Sequence, residues 1–231
     1  MLRELLSLFR SDDVIAEMGE NFSRMLDMAK ELTFESGGYF FEGPPTPEQR
    51  TSVSKQDIKL NKMERRIRKQ VIVHLALGEG QRDTPYGLLL MSLVKDVERI
   101  GDYCKNLAEV YDDGGGPIPD DENAAELREI RAVVEDILSA TGRVFGTSDT
   151  ETSLDLIRRG REVNRRCDAL VKRVAGSDYD AATTTTMVLG ARYYKRIQSH
   201  LLNVLSGVVM PLHKLDYYDE RALPDGVEGD A

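Results

Sequence analysis

Apolar residues recur at alternating steps of three and four in six stretches of the chain, the spacing of helices that each bury one face. Across residues 12–35 the stripe is Val14, Met18, Phe22, Met25, Ala29 and Leu32, and the run of Gly37, Gly38, Gly43, Pro44, Pro45 and Pro47 is expected to break it. Across residues 48–77 it is Val53, Leu60, Met63, Ile67, Val71 and Leu75, stopped by Gly78 and Gly80. Thr84 followed by Pro85 reads as an N-cap and a first-turn proline, opening a third helix with Leu90, Val94, Val97, Gly101, Cys104 and Ala108 on one side. A fourth carries Leu127, Ile130, Val134, Ile137, Thr141 and Val144. A fifth, capped by Ser148 or Asp149, carries Leu154, Ile157, Cys167, Leu170 and Val174. The sixth spans about residues 180–213, with a weak β-branched first turn at residues 183–186. No stretch alternates as a strand would.

Between the third and fourth helices, residues 112–121 combine Asp, three glycines and two prolines without apolar period, the composition of a flexible linker. Three helices on either side invite a test for duplication. Glu98-Arg99-Ile100 through Asn106 aligns with Lys195-Arg196-Ile197 through Asn203 at an offset of 97, keeping Arg, Ile and Asn in place. One helix earlier, Ile58 to Asn61 aligns with Arg161 to Asn164 at an offset of 103. The expected fold is therefore all-α, six long helices in two tandem antiparallel three-helix bundles. The bundles span 12–112 and 122–213, with a linker at 113–121 and an acidic C-terminal tail at 214–231.

The 231 residues carry 31 Lys+Arg against 40 Asp+Glu, a net charge of −9, which argues against nucleic-acid binding by bulk electrostatics. The least charged long stretch, residues 197–213, contains Gln198, Ser199, His200, Asn203, Ser206 and Pro211, so no bilayer span is expected. Met1 to Arg10 lacks the make-up of a secretory signal, and two cysteines suggest no disulfide framework. The expected compartment is the cytoplasm.

Candidate chemistry lies on the second and third helices. Glu98 and Asp102, four apart, share a helix face, as do Asp57, Asn61 and Glu64. If the two helices are neighbours, these acids converge on an oxygen-rich patch suited to a divalent cation. The competing reading is a salt-bridged solvent face, since Lys95, Arg99 and Lys105 stand among them. No Glu-x-x-His is present, which excludes the di-iron bundle class, and His74 reads as a boundary position. Cys104 and Cys167 lie on apolar stripes and read as buried. No phosphate-cradling loop or nucleophile elbow accompanies the acids, so an enzyme is the least supported class. Two basic clusters occupy matching helices: residues 62–69, including Arg65 and Arg66, and residues 158–166. Each is a solvated face or a partner-docking ridge.

The stretch Lys95-Asp96-Val97-Glu98-Arg99-Ile100-Gly101-Asp102-Tyr103-Cys104-Lys105-Asn106-Leu107-Ala108-Glu109 resembles the signature helix of the PhoU family, an acid-x-x-x-Asp motif enclosing Arg-Ile-Gly and followed by an Asn-Ile-Ala-Glu-like run. Asp57-x-x-x-Asn61 resembles that family's other characteristic helix. The resemblance implies a cytoplasmic, non-enzymatic regulator of phosphate uptake and starvation signalling, peripheral to the inner membrane through contact with the phosphate transporter's ATPase subunit and a membrane sensor kinase. It also implies a divalent metal ion held by Glu98 and Asp102, with Asp57 and Glu64 assisting. In the second repeat the corresponding positions hold Lys195, Ser199 and Gly160, so a second metal site is not expected, and Lys195 would supply a built-in cation in an internal ion pair. The alternatives are an accessory subunit of another ion transporter, sodium/phosphate or potassium, and a metal-binding or storage module. Leftover apolar helix surface would suit a homodimer.

Overall fold

A computed structural model describes residues 13–76 and 81–216. Six long helices make up the described chain, with no strand among the described residues: α1 (Asp13–Glu42), α2 (Pro47–Ala76), α3 (Thr84–Glu109), α4 (Glu122–Thr147), α5 (Thr150–Ala175) and α6 (Ala181–Val209). Short 3-10 turns cover Gln81–Asp83 and Leu212–Lys214. The stop expected at Gly78 and Gly80, and nearly all of the expected tail, lie outside the described residues.

The predicted stripes are the buried ones, with Met63 and Leu75 half-buried and two residues exposed. Val14 is exposed and Ile15 takes its place in the core, while Leu154 is exposed at the start of α5. The expected break at Gly37 and Gly38 does not occur, and α1 continues to Glu42 and buries Phe40 completely. The glycine serves contact rather than termination: a Cβ on Gly37 would sit 2.8 Å from the Tyr194 hydroxyl, and Arg131 donates to the Gly37 carbonyl at 3.0 Å. Termination falls instead at Gly43, whose φ of +123° lies where L-residues are strained.

Caps explain the other boundaries. Thr84 is the first residue of α3 rather than its cap. Asp83 holds the cap position without capping, since its carboxylate engages His74 Nε2 at 2.6 Å. Asp121, Asp149 and Asp180 begin α4, α5 and α6 by accepting from the backbone N–H of Ala124, Thr152 and Thr183. The threonine run at the start of α6 is offset by that cap and by the Thr185 hydroxyl, which donates to the Ala181 carbonyl at 2.8 Å. Ser148, at φ 52°, closes α4 in the left-handed region rather than opening α5.

Helices α1, α2 and α3 pack on one another, as do α4, α5 and α6. The two bundles then join through α3 against α6 and α1 against α4, which places α2 and α5 on opposite outer edges. One continuous apolar core runs through both bundles. Phe22 of α1 meets Phe145 of α4 at 4.8 Å between ring centroids, and Tyr103 of α3 stacks on His200 of α6 at 5.7 Å. Tyr103 and His200 are repeat equivalents at the offset of 97, so the halves meet about a pseudo-twofold axis that passes close to this pair. The glycine-rich linker, read as flexible from its composition, is fastened at its glycines to both bundles. Gly115 N–H donates to the Val110 carbonyl, Gly116 N–H to the Ala182 carbonyl, and the Thr186 hydroxyl to the Gly116 carbonyl at 2.7 Å.

Candidate functional site

The face shared by α2 and α3 is set by a glycine. A Cβ on Gly101 would lie 2.8 Å from Leu60 Cδ1 and 3.7 Å from Asp57 Oδ1, so the absent side chain lets α2 settle with Asp57 over the middle of α3. Asp57 is 8% exposed and its Oδ1 has no hydrogen-bond partner. Burial pushes its carboxyl above the ordinary range; nearby Asp102, Glu98 and Glu109 push the same way, against the opposing pull of Lys105. Glu98 is buried and receives Lys95 Nζ at 2.8 Å, with Arg99 Nε at 3.8 Å. Asp102, about one third exposed, accepts from Arg99 Nη1 at 2.7 Å. Asp57, Glu98 and Asp102 are thus brought into one electrostatic neighbourhood. Glu64 is not: it lies about 10 Å further along α2, two turns on, paired with Arg68 at 3.2 Å.

This arrangement does not fit a metal ion as it stands. Among the described residues no three His, Cys, Asp or Glu side chains are placed to hold one. Glu98 and Asp102 are engaged by this chain's own Lys95 and Arg99, and of the two buried oxygens without a hydrogen-bond donor, Asp57 Oδ1 and Glu64 Oε1, the second stands apart in its ion pair with Arg68.

The second bundle reverses the same interface. Gly160 of α5 stands where Asp57 does in the repeat, and Gln198 of α6 stands where Gly101 does. A Cβ on Gly160 would collide with the Gln198 amide, so the large polar side chain now comes from the last helix of the bundle and the glycine from the middle one. Gln198 is completely buried with neither amide atom partnered. Lys195, in the place of Glu98, donates to Asp168 Oδ2 at 2.5 Å, and Asn164 donates to the Ser199 hydroxyl at 3.3 Å. Sequence inspection pointed to Lys195 but not to Gln198 or Asp168. Gln198 was available from the offset of 97, whereas Asp168 has no counterpart in the motif.

The two basic clusters also differ. On α5, Arg158 pairs with Asp155, Arg159 with Asp136, Arg165 with Glu162, and Arg166 with Glu126 and Glu129. On α2, Arg66 pairs with Glu17 of α1 at 3.1 Å, while Arg65 only donates to the Asn61 carbonyl of its own helix. A contact without sequence signal joins the bundles: buried Asp96 of α3 takes His200 Nδ1 at 2.8 Å and Asn203 Nδ2 at 2.7 Å from α6. Both cysteines are buried, and burial raises each thiol to about 12, which keeps them protonated and unreactive. No helix among the described residues is long and apolar enough to cross a membrane.

Comparison with known proteins bears on this arrangement. Residues 15–111, which are α1 to α3 and carry the Asp57, Glu98 and Asp102 face, match the family model of the PhoU domain. The whole fold is similar to the crystal structure of the phosphate transport system regulatory protein PhoU from Streptococcus pneumoniae, at 16% identity and a TM-score of 0.75, covering 86% of this chain and 94% of that one. It is also similar to PhoU from Pseudomonas aeruginosa, at 18% identity and a TM-score of 0.66, covering 92% of this chain and 99% of that one. No curated protein matches the sequence. The family match ends where the motif does: the second bundle, with Lys195, Ser199 and Gly160, is aligned by its fold alone.

Proposed function

We propose, from the match of residues 15–111 to the PhoU domain model, that the protein is a non-enzymatic regulator of phosphate transport that acts by protein contact. The observation that carries this reading is the coincidence of the family match with the one bundle whose α2–α3 face keeps the acidic motif. Its clients in this reading are the phosphate transporter's ATPase subunit and a membrane sensor kinase, which place it in the cytoplasm beside the inner membrane. The ion pairs on Glu98 and Asp102 support a face whose charges are already balanced and which needs no turnover chemistry to do its work.

The test is phosphate uptake and a phosphate-starvation reporter in cells lacking the gene, grown in plentiful phosphate, with the wild-type gene returned. Uptake and reporter output should stay high without the gene and fall when it is restored. Unchanged phosphate behaviour would overturn the reading and move the client to another ion transporter. A metal-supported form of the reading rests on the donor-free Asp57 Oδ1. It requires a divalent ion to displace Lys95 and Arg99, and it fails if equilibrium dialysis with zinc or manganese gives the same uptake for wild type and for Glu98→Ala/Asp102→Ala.

A further inference from the structure

The outward face of α2 carries a stripe that the packing leaves unused. Ile58, Lys62, Arg65, Lys69 and Ile72 follow at steps of four, three, four and three, so their side chains line one side of the helix over about 21 Å. All five are exposed, with Ile58 at 49% and Ile72 at 59%, and Val73 beside Ile72 at 47%. Among the described residues none of Lys62, Arg65 and Lys69 has an acidic partner, whereas the four arginines cited on α5 are all paired with acids of α4 or of α5 itself. The stripe thus sets three cations without acidic partners between branched apolar side chains, on a chain whose net charge is −9. At one end Ile72 and Val73 make an adjacent exposed apolar pair beside the cations, which a core-facing stripe would not combine with lysine.

We propose that this stripe is a docking ridge for a protein segment of helical size bearing carboxylates along its middle and apolar contacts at its two ends. The proposal rests on the regulator reading above and names the face through which the contact is made. Charge complementarity selects the acidic partner, because three unpaired cations in a row gain most from carboxylates that lie in register with them. A bilayer is the poorer match: the apolar residues sit at the ends of the stripe rather than in a continuous insertable face, and the net charge of −9 opposes an anionic surface. Arg66, one position off the stripe, is held by Glu17 and lies at the ridge's border.

The experiment places a photo-crosslinking amino acid at position 65 of the full chain in cells, with position 158 on α5 as the control. The expected product is a crosslink from position 65 to a protein segment rich in Asp and Glu. Its yield should fall about tenfold or more when Lys62→Glu and Lys69→Glu are added, and also with Ile58→Ser/Ile72→Ser, at unchanged helical circular dichroism. A crosslink to a second copy of the chain overturns the proposal, as does ridge-dependent flotation of the purified protein with phosphatidylcholine–phosphatidylglycerol vesicles. An unchanged crosslink after charge reversal overturns it as well. The two readings fail separately. If the wild-type gene and the Lys62→Glu/Lys69→Glu gene both restore phosphate repression with equal crosslinks, the ridge is wrong and the regulator stands. If the gene has no effect on phosphate uptake while the charge-dependent crosslink persists, the regulator reading is wrong and the ridge stands.

Discussion

Arg166 belongs by sequence to a run of arginines, yet its guanidinium donates to both oxygens of Glu126, at 2.8 and 3.1 Å, and to Glu129 at 2.7 Å. The pair is about three-quarters buried, and the hydrogen bonds from Arg166 hold the Glu126 carboxyl below the usual range. A carboxylate whose folded pKa is depressed stabilises the fold above its unfolded pKa and loses that contribution as the pH falls through the folded value. Glu126→Gln should therefore lower stability by about 1 kcal/mol at pH 7, with the difference from wild type closing as the pH drops below the carboxylate range. Urea unfolding at several pH values checks this, and a pH-independent difference would refute it. Burial of the apolar stripe was legible at this scale because it repeats every three or four residues. The partner of Arg166 lies forty residues away on another helix, and no local pattern reports it.

Element boundaries show a similar division. The caps at Asp121, Asp149 and Asp180 follow from residue type and position, and Asp149 was among the expected ones. Glycines were harder, because a glycine in a helical stretch either ends the helix or admits a neighbour, and only the neighbour decides. Gly43 ends α1; Gly37, six residues earlier, admits Tyr194. Gly190 on α6 is of the second kind: a Cβ there would overlap the ring of Phe40, which is wholly buried, and crowd Leu127 of α4 at 3.2 Å. Although alanine is the better helix former, Gly190→Ala should destabilise the protein by about 1–3 kcal/mol, the cost of overpacking a rigid core. The urea midpoint should fall at unchanged slope. A higher midpoint would show that helix propensity outweighs the clash.

At the scale of the whole molecule, the duplication was readable from nine aligned positions in the last helix of each half and four in the helix before it, and the candidate face on α2 and α3 from the spacing of its acids. How the two bundles meet was not readable, because helices α1, α3, α4 and α6 bury apolar residues both within their own bundle and across to the other, and one stripe of leucines looks like another. The shared core and the Asp96–His200–Asn203 contact make each bundle incomplete alone. Scanning calorimetry should accordingly give a single transition whose calorimetric and van't Hoff enthalpies agree. Two separable transitions would mean that the bundles are independent.

The Asp96 contact has a consequence for which halves can recognise each other. Carried across by the repeat, the place of His200 is Tyr103 and the place of Asn203 is Asn106, so an α3 laid against another α3 would offer Asp96 a phenol in place of an imidazole. The place of Asp96 itself is Tyr193, so two second halves laid together would lack the carboxylate altogether. A pair of second halves therefore forfeits the buried polar match and a pair of first halves changes its donor, while the correct pair is the one already tethered at high effective concentration by a fastened linker. The contact works as an address of one kind only: it directs a first bundle to a second bundle, and the linker makes that second bundle the one in the same chain.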